Sequence, residues 1–178
     1  MLNFDLKFLL LEASILNSKR KKNQTFLWNS IGSLGKEFNE DGVQNITLKD
    51  SIFTGSDNGI RIKTWARPSK GFVRNILFDN IIMNNAKNPI VIDQNYCPDN
   101  KGCPRQSSGV QISKVTYRNI RGTSATPEGV NFDCSVTNPC KEIKLQNIKL
   151  LYKNKAAMSS CKNVRGSANA MLMPRSCL

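Results

Sequence analysis

The most regular feature of the sequence is an alternation of apolar and polar residues that recurs along the chain. A segment of the form apolar-x-apolar-x-Asp/Asn appears four times, starting at positions 46, 76, 115 and 143. A second alternating segment follows each of the first three, starting at Ile60, Ile90 and Val130. Alternation with a period of two predicts strands that bury one of their two faces.

The spacing of these segments predicts the architecture. Their starts are separated by 30, 39 and 28 residues, with no helical periodicity between them, which argues against alternating strands and helices. We predict an all-β fold, a right-handed parallel β-helix truncated to about four coils, whose coils stack about 4.8 Å apart. Asparagines between strands, such as Asn84 and Asn85, suit its sharp corners. A β-sandwich is the alternative, but hairpin dipeptides between successive strands are scarce.

The six cysteines all lie in the second half of the chain and form three local pairs. An even number of cysteines in local pairs predicts short-loop disulfides and an oxidising, secreted setting. Metal ligation is the competing interpretation, but the C-x2-C spacing typical of zinc sites is absent. We therefore predict no metal or cofactor. The predicted disulfide partners are Cys97 with Cys103, Cys134 with Cys140, and Cys161 with Cys177.

Composition limits the chemistry that these 178 residues can perform. The chain has no histidine, which excludes catalytic Ser-His-Asp or Cys-His groups and histidine acid/base catalysis. The net charge of +13 is spread along the chain, as expected for a protein that binds a polyanion. Aromatic residues are not interleaved with the basic ones, which disfavours nucleic acid. No apolar run approaches the roughly 18 residues of a membrane span, so we expect a soluble protein.

One outer face of the predicted coil collects charged residues. The isoleucines of residues 59–63 point inward, so Arg61 and Lys63 point outward on the same side. One coil later Asp93 stands at the level of Lys63, with Asp133 on the next coil and Tyr96 close by. Two fixed cations beside a phenol are suited to a carboxylated sugar. The alternative is that Lys63 and Asp93 form only a surface ion pair.

Six segments carry motifs of a known family. They are residues 30–36 (SIGSLGK), 42–46 (GVQNI), 57–65 (DNGIRIKTW), 92–97 (IDQNYC), 122–126 (GTSAT) and 132–134 (FDC). With these motifs the chain from about residue 30 onward closely resembles the carboxyl-terminal portion of plant polygalacturonases. These are glycoside hydrolases that cleave pectin and have a right-handed parallel β-helix fold.

The resemblance implies a substrate and a location. It assigns binding of the galacturonate carboxylate to Arg61 and Lys63, and a place in the wall of the sugar subsite to Tyr96. It implies α-1,4-galacturonosyl linkages of pectin as substrate, and a secreted, cell-wall protein that is a monomer when folded. It also supports the three local disulfides.

The domain organisation follows from the extent of the resemblance. Residues 29–178 correspond to the carboxyl-terminal part of the family's β-helix domain, and residues 1–28 are predicted to be a poorly ordered, non-family segment. An intact protein of this kind is expected to have further coils before residue 43. The apolar stretch that begins at Phe8 is interrupted by Glu12 and has no clean cleavage site, so it makes no convincing signal peptide.

The departures from the family pattern concern catalysis. The family's aspartates lie in Asn-Thr-Asp and Asp-Asp motifs, and neither occurs here. Its Gly-His-Gly motif should fall just before residue 30, where Leu27 takes the place of the histidine. Asp93 and Asp133 are expected about 5 Å apart, closer than the roughly 6.5–9.5 Å of an inverting pair. We therefore predict no catalytic residue.

Two hypotheses about function follow. One is an inactive, truncated polygalacturonase-family chain. The alternative is a secreted, non-catalytic module that binds polygalacturonate.

Overall fold

The computed structural model describes residues 30–98, 101–104, 106–169 and 172–178. The described part of the chain forms eleven strands and no α-helix. The strands are β1 (Ser30–Leu34), β2 (Val43–Thr54), β3 (Asn58–Trp65), β4 (Phe72–Ala86), β5 (Asn88–Tyr96), β6 (Gln111–Ser124), β7 (Glu128–Asp133), β8 (Cys140–Tyr152), β9 (Lys155–Ala156), β10 (Met158–Lys162) and β11 (Val164–Ala168). The expectations for residues 1–28 and for Leu27 lie outside these described residues.

Two parallel sheets run along the stack of coils. Sheet A has the order β1-β3-β5-β7-β10, and sheet B has the order β2-β4-β6-β8-β11. Each of these strands therefore pairs with the next strand of its own sheet along the chain, so the backbone visits both sheets once per coil. The exception among the described strands is β9, which pairs antiparallel with β8. This topology confirms the predicted parallel β-helix.

The register confirms which residues stack on one another. Ile60 pairs with Ile90, and Ile90 pairs with Val130, along sheet A. All three are almost completely buried in one hydrophobic cluster that both sheets enclose. In sheet B, the first residue of each alternating segment is likewise buried and stacked on its counterpart from the second coil onward. In the first coil, however, Ile46 is 41% exposed, because β2 is the edge strand of that sheet.

Polar residues in the left-handed backbone region make the corners. Asp50, Asn80, Asn119 and Asn147 have φ angles of 53°, 54°, 54° and 53°. These are the residues that end each apolar-x-apolar-x-Asp/Asn segment. Their short polar side chains tolerate this conformation better than other L-residues do. The side chains also bond between coils, with Asn147 Nδ2 donating to Asn119 Oδ1 at 2.8 Å.

These corners differ in place from the prediction. They lie inside the long strands of sheet B, which bend there without losing their pairing to the next coil. Asn85 has the left-handed backbone expected of a corner, with φ of 55°. Asn84 and Asn85 both lie inside β4, however, and not between strands as predicted.

All three predicted disulfides are present. Cys97 bonds to Cys103, Cys134 to Cys140, and Cys161 to Cys177. The first closes the turn after β5, the second joins the end of β7 to the start of β8, and the third ties β10 to the carboxyl-terminal segment. Among the described residues, no helix is long and apolar enough to cross a membrane.

Candidate functional site

Sheet A positions the residues singled out in the sequence. Arg61 and Lys63 alternate along β3 with inward-facing isoleucines, so both leave the strand on its outer side. Arg61 is half-buried, and its Nε lies 3.4 Å from Ser30 Oγ on β1. Lys63 is only 6% exposed. The sequence predicted the direction of both side chains but not the burial of Lys63.

The ring of Tyr96 joins the two cations. Tyr96 is the last residue of β5, on the coil after Arg61 and Lys63. The Lys63 ammonium lies 4.5 Å from the centre of the ring, and the Arg61 guanidinium carbon lies 5.7 Å from it. Both distances fall within the roughly 6 Å of a cation–π contact. The structure therefore brings together the three side chains to which a binding role was assigned. That role stays a prediction.

Two further side chains continue this cluster. The Trp65 ring meets the Tyr96 ring edge to face, with centroids 5.4 Å apart and planes at 72°. The Arg67 guanidinium carbon lies 5.5 Å from the centre of the Trp65 ring. An aromatic pair thus has cations on both sides.

Sequence reasoning assigned no role to Trp65 or Arg67. A spacing of thirty residues places Trp65 opposite Asn95, whereas a register shift after Lys63 makes Trp65 pair with Tyr96. The available signal was that Trp65 lies two residues beyond Lys63, on the same side of the strand.

The two aspartates stack as predicted. Lys63 pairs with Asp93, and Asp93 pairs with Asp133 on the next coil. Burial raises the pKa of Asp93, although the Asn95 backbone N–H at 2.9 Å and the charges of Arg61 and Lys63 act in the opposite direction. Asp133 accepts a hydrogen bond of 2.9 Å from Asn95 Nδ2, so one asparagine contacts both carboxylates.

The cluster places two cations against one aromatic ring, beside two stacked carboxylates. The described residues contain no group of three or more His, Cys, Asp or Glu that could hold a metal ion.

Comparison with known proteins assigns the family. The family model described as glycosyl hydrolases family 28 matches residues 29–176. This chain belongs to glycosyl hydrolases family 28. Among its relatives, a polygalacturonase of Prunus persica is 62% identical over 149 residues, which are 84% of this chain and 38% of that protein.

Relatives of lower identity match over similar spans. A polygalacturonase of Gossypium hirsutum is 43% identical over 149 residues, covering 83% of this chain and 37% of that protein. An exopolygalacturonase of Oenothera organensis is 41% identical over 150 residues, covering 83% of this chain and 41% of that protein. The chain therefore spans about two fifths of the length of these relatives.

Proposed function

We propose that the outer face of sheet A binds galacturonate units of pectin through Arg61, Lys63 and Tyr96. The observation that supports this most directly is the contact of both cations with one phenol ring, in a chain of family 28. The family supports the substrate class, and the side-chain geometry supports the position proposed for the site.

The chemistry of the three groups is complementary. A guanidinium presents a planar fork of donors that matches a carboxylate, and an ammonium adds a compact point charge. The Tyr96 ring holds Arg61 and Lys63 close together before a ligand arrives, so binding costs less side-chain entropy. Trp65 extends the aromatic surface beyond this point.

We further propose that these 178 residues bind without hydrolysing. Inverting hydrolysis needs two carboxyl groups about 6.5–9.5 Å apart, with room for a water molecule between them. Asp93 and Asp133 lie at one level on neighbouring strands, where the spacing is about 4.8 Å, and Asn95 contacts both. The chain has no histidine and neither aspartate motif. We therefore propose a non-catalytic binding module, with an inactive, truncated chain that does not bind as the alternative.

The setting we propose is extracellular. Three disulfides are typical of an oxidising compartment, and pectin is a cell-wall polymer. We propose that residues 29–178 act there as the carboxyl-terminal part of a polygalacturonase-like domain, as a monomer without nucleic acid or a membrane as partner.

The test is calorimetric titration of the chain with trigalacturonate. We expect Arg61→Ala to weaken binding about tenfold or more, because a charge-assisted hydrogen bond is lost. Arg74→Ala, which removes an exposed arginine from sheet B, is the matched control and should bind as the unaltered chain does. Equal losses in the two variants, or no binding by the folded chain, would contradict the site. Release of reducing sugar from polygalacturonate would contradict the absence of hydrolysis.

A further inference from the structure

The first half of β2 contains the recognition sequence for N-linked glycosylation. Asn45-Ile46-Thr47 has the form Asn-x-Thr, in which x is not proline. All three residues are exposed. Residues 23–25 (NQT) have the same form but lie outside the described residues. Asn45 is therefore the asparagine of the described part of the chain at which this modification is examined.

The side chain of Asn45 is placed so that a sugar can be added to it. Its Oδ1 accepts a hydrogen bond of 3.2 Å from Asn75 Nδ2 on β4. N-linked glycans are attached through the other amide atom, Nδ2, so a glycan leaves the bond to Asn75 in place. Asn45 also has φ of 58°, in the left-handed region that asparagine adopts more readily than most residues. The backbone of β2 therefore bends at the acceptor residue while its pairing to β4 continues.

The strand around Asn45 has the features of an edge that attracts other chains. β2 is an edge strand of twelve residues, whereas β11 at the opposite edge of sheet B has five. Residues 43–48 (VQNITL) contain no charge, proline or glycine, and Ile46 is 41% exposed. The equivalent residues 73–78 on the next coil include Arg74. Long, uncharged edge strands promote pairing between chains, and proteins usually protect them.

We propose that Asn45 carries an N-linked glycan that covers this segment of β2. The inference rests on the extracellular setting proposed above, because the sugar donor, a lipid-linked oligosaccharide diphosphate, is met on the secretory route. A bond forms between Asn45 Nδ2 and C1 of the first sugar, and the bond from C1 to the diphosphate breaks. The diphosphate leaves with the electron pair, and the amide loses one proton. The attached glycan is bulky and solubilising, so it hinders a second chain from approaching the β2 edge.

The first experiment tests the attachment site. The full chain is secreted from a eukaryotic host behind a leader peptide and carries Thr25→Ala, which removes the recognition sequence at residues 23–25. The parent is compared with Thr47→Ala, which destroys the remaining recognition sequence, and with Thr47→Ser, the matched control that keeps it. Changes at Thr47 are used because replacing Asn45 would alter a residue with φ of 58°.

We expect the parent and Thr47→Ser to migrate with one glycan that peptide N-glycosidase removes, and Thr47→Ala to lose that shift. A secreted, disulfide-bonded parent without the shift, or a shift that persists in Thr47→Ala, would overturn the proposal. Occupancy is measured without any sugar ligand, so failure of the galacturonate site does not affect this result. In the chain from its natural source, free thiols would contradict the extracellular setting, whereas intact disulfides without a glycan would contradict the site.

The second experiment tests protection of the edge by light scattering. The glycan of the parent, produced in high-mannose form, is trimmed to a single sugar by an endoglycosidase. We expect the apparent mass to rise at least about twofold on trimming, and Thr47→Ala to associate to the same extent. Ile46→Lys keeps the recognition sequence, places a charge on the edge strand and should stay monomeric after trimming.

Val136→Lys is the control for added charge. Val136 is 68% exposed and lies between β7 and β8, so its trimmed form should associate as the trimmed parent does. A trimmed parent that remains monomeric, or equal suppression of association by the two lysine variants, would overturn the protective role.

Discussion

The buried hydroxyl of Tyr117 allows a test of how polar burial affects the stability of the hydrophobic core. Tyr117 is fully buried in the column of side chains inside sheet B, between Phe78 and Leu145. Its ring stacks on Phe78 with centroids 5.2 Å apart, and lies tilted against Phe132 at 5.5 Å. No group among the described residues hydrogen-bonds to its hydroxyl. Burial also raises the pKa of the phenol, which keeps it neutral.

Tyr117→Phe should therefore stabilise the protein. A buried polar group without a partner costs about 1–3 kcal/mol, and phenylalanine keeps both ring contacts while removing that group. We expect the free energy of unfolding to rise by about 1 kcal/mol. Tyr117→Leu loses both ring contacts and should instead lower it by about 2 kcal/mol.

The assay is urea unfolding at pH 7, with the midpoint and the slope both fitted. Tyr152→Phe is the control, because Tyr152 is half-buried at the end of β8 and its change should stay within about 0.5 kcal/mol. Destabilisation of Tyr117→Phe by 1 kcal/mol or so, with an unchanged slope, would refute the reasoning and show that the hydroxyl is bonded.

Three further predictions concern charge, backbone and binding. Arg118 lowers the pKa of Asp79 to about 2, so the pair stabilises the fold fully above about pH 4 and is lost as the pH falls towards 2. Asp79→Asn should flatten that part of the plot of melting temperature against pH. At the corner residue Asn119, Asn119→Ala should unfold more easily than Asn119→Gly by about 1 kcal/mol in urea, since only glycine adopts φ of 54° freely. Tyr96→Phe keeps the ring beside Lys63 and should retain trigalacturonate affinity within about threefold, whereas Tyr96→Ala should lose about tenfold by titration.

The repeat made the stacking of the chain predictable from its sequence. A period of two fixes which side of a strand is buried, and an interval near thirty residues fixes which residues meet across coils. The stacking of Ile60 on Ile90 and of Lys63 on Asp93 follows from these two numbers. The stacking of Ile90 on Val130, forty residues on, follows from the alternation that resumes after the longer interval. The disulfides were predictable because each loop is short.

Three features were not predictable by these rules, each for a physical reason. Ile46 has the pattern of a core residue but lies on an edge strand, where no described coil covers it. Trp65 meets Tyr96 through a register shift, which a constant interval does not express. The burial of Lys63 depends on side chains from more than one strand, and such crowding has no signature in a single segment.

The interval of 39 residues between two repeats has a consequence for how this fold acquires new specificities. The extra length lies in the connection between β5 and β6, where Cys97 bonds to Cys103, while Ile90 and Val130 stay in register. The loop begins immediately after Tyr96. We therefore expect residues to be inserted or exchanged beside the face that carries Arg61, Lys63 and Tyr96 while the pairing of the strands stays the same.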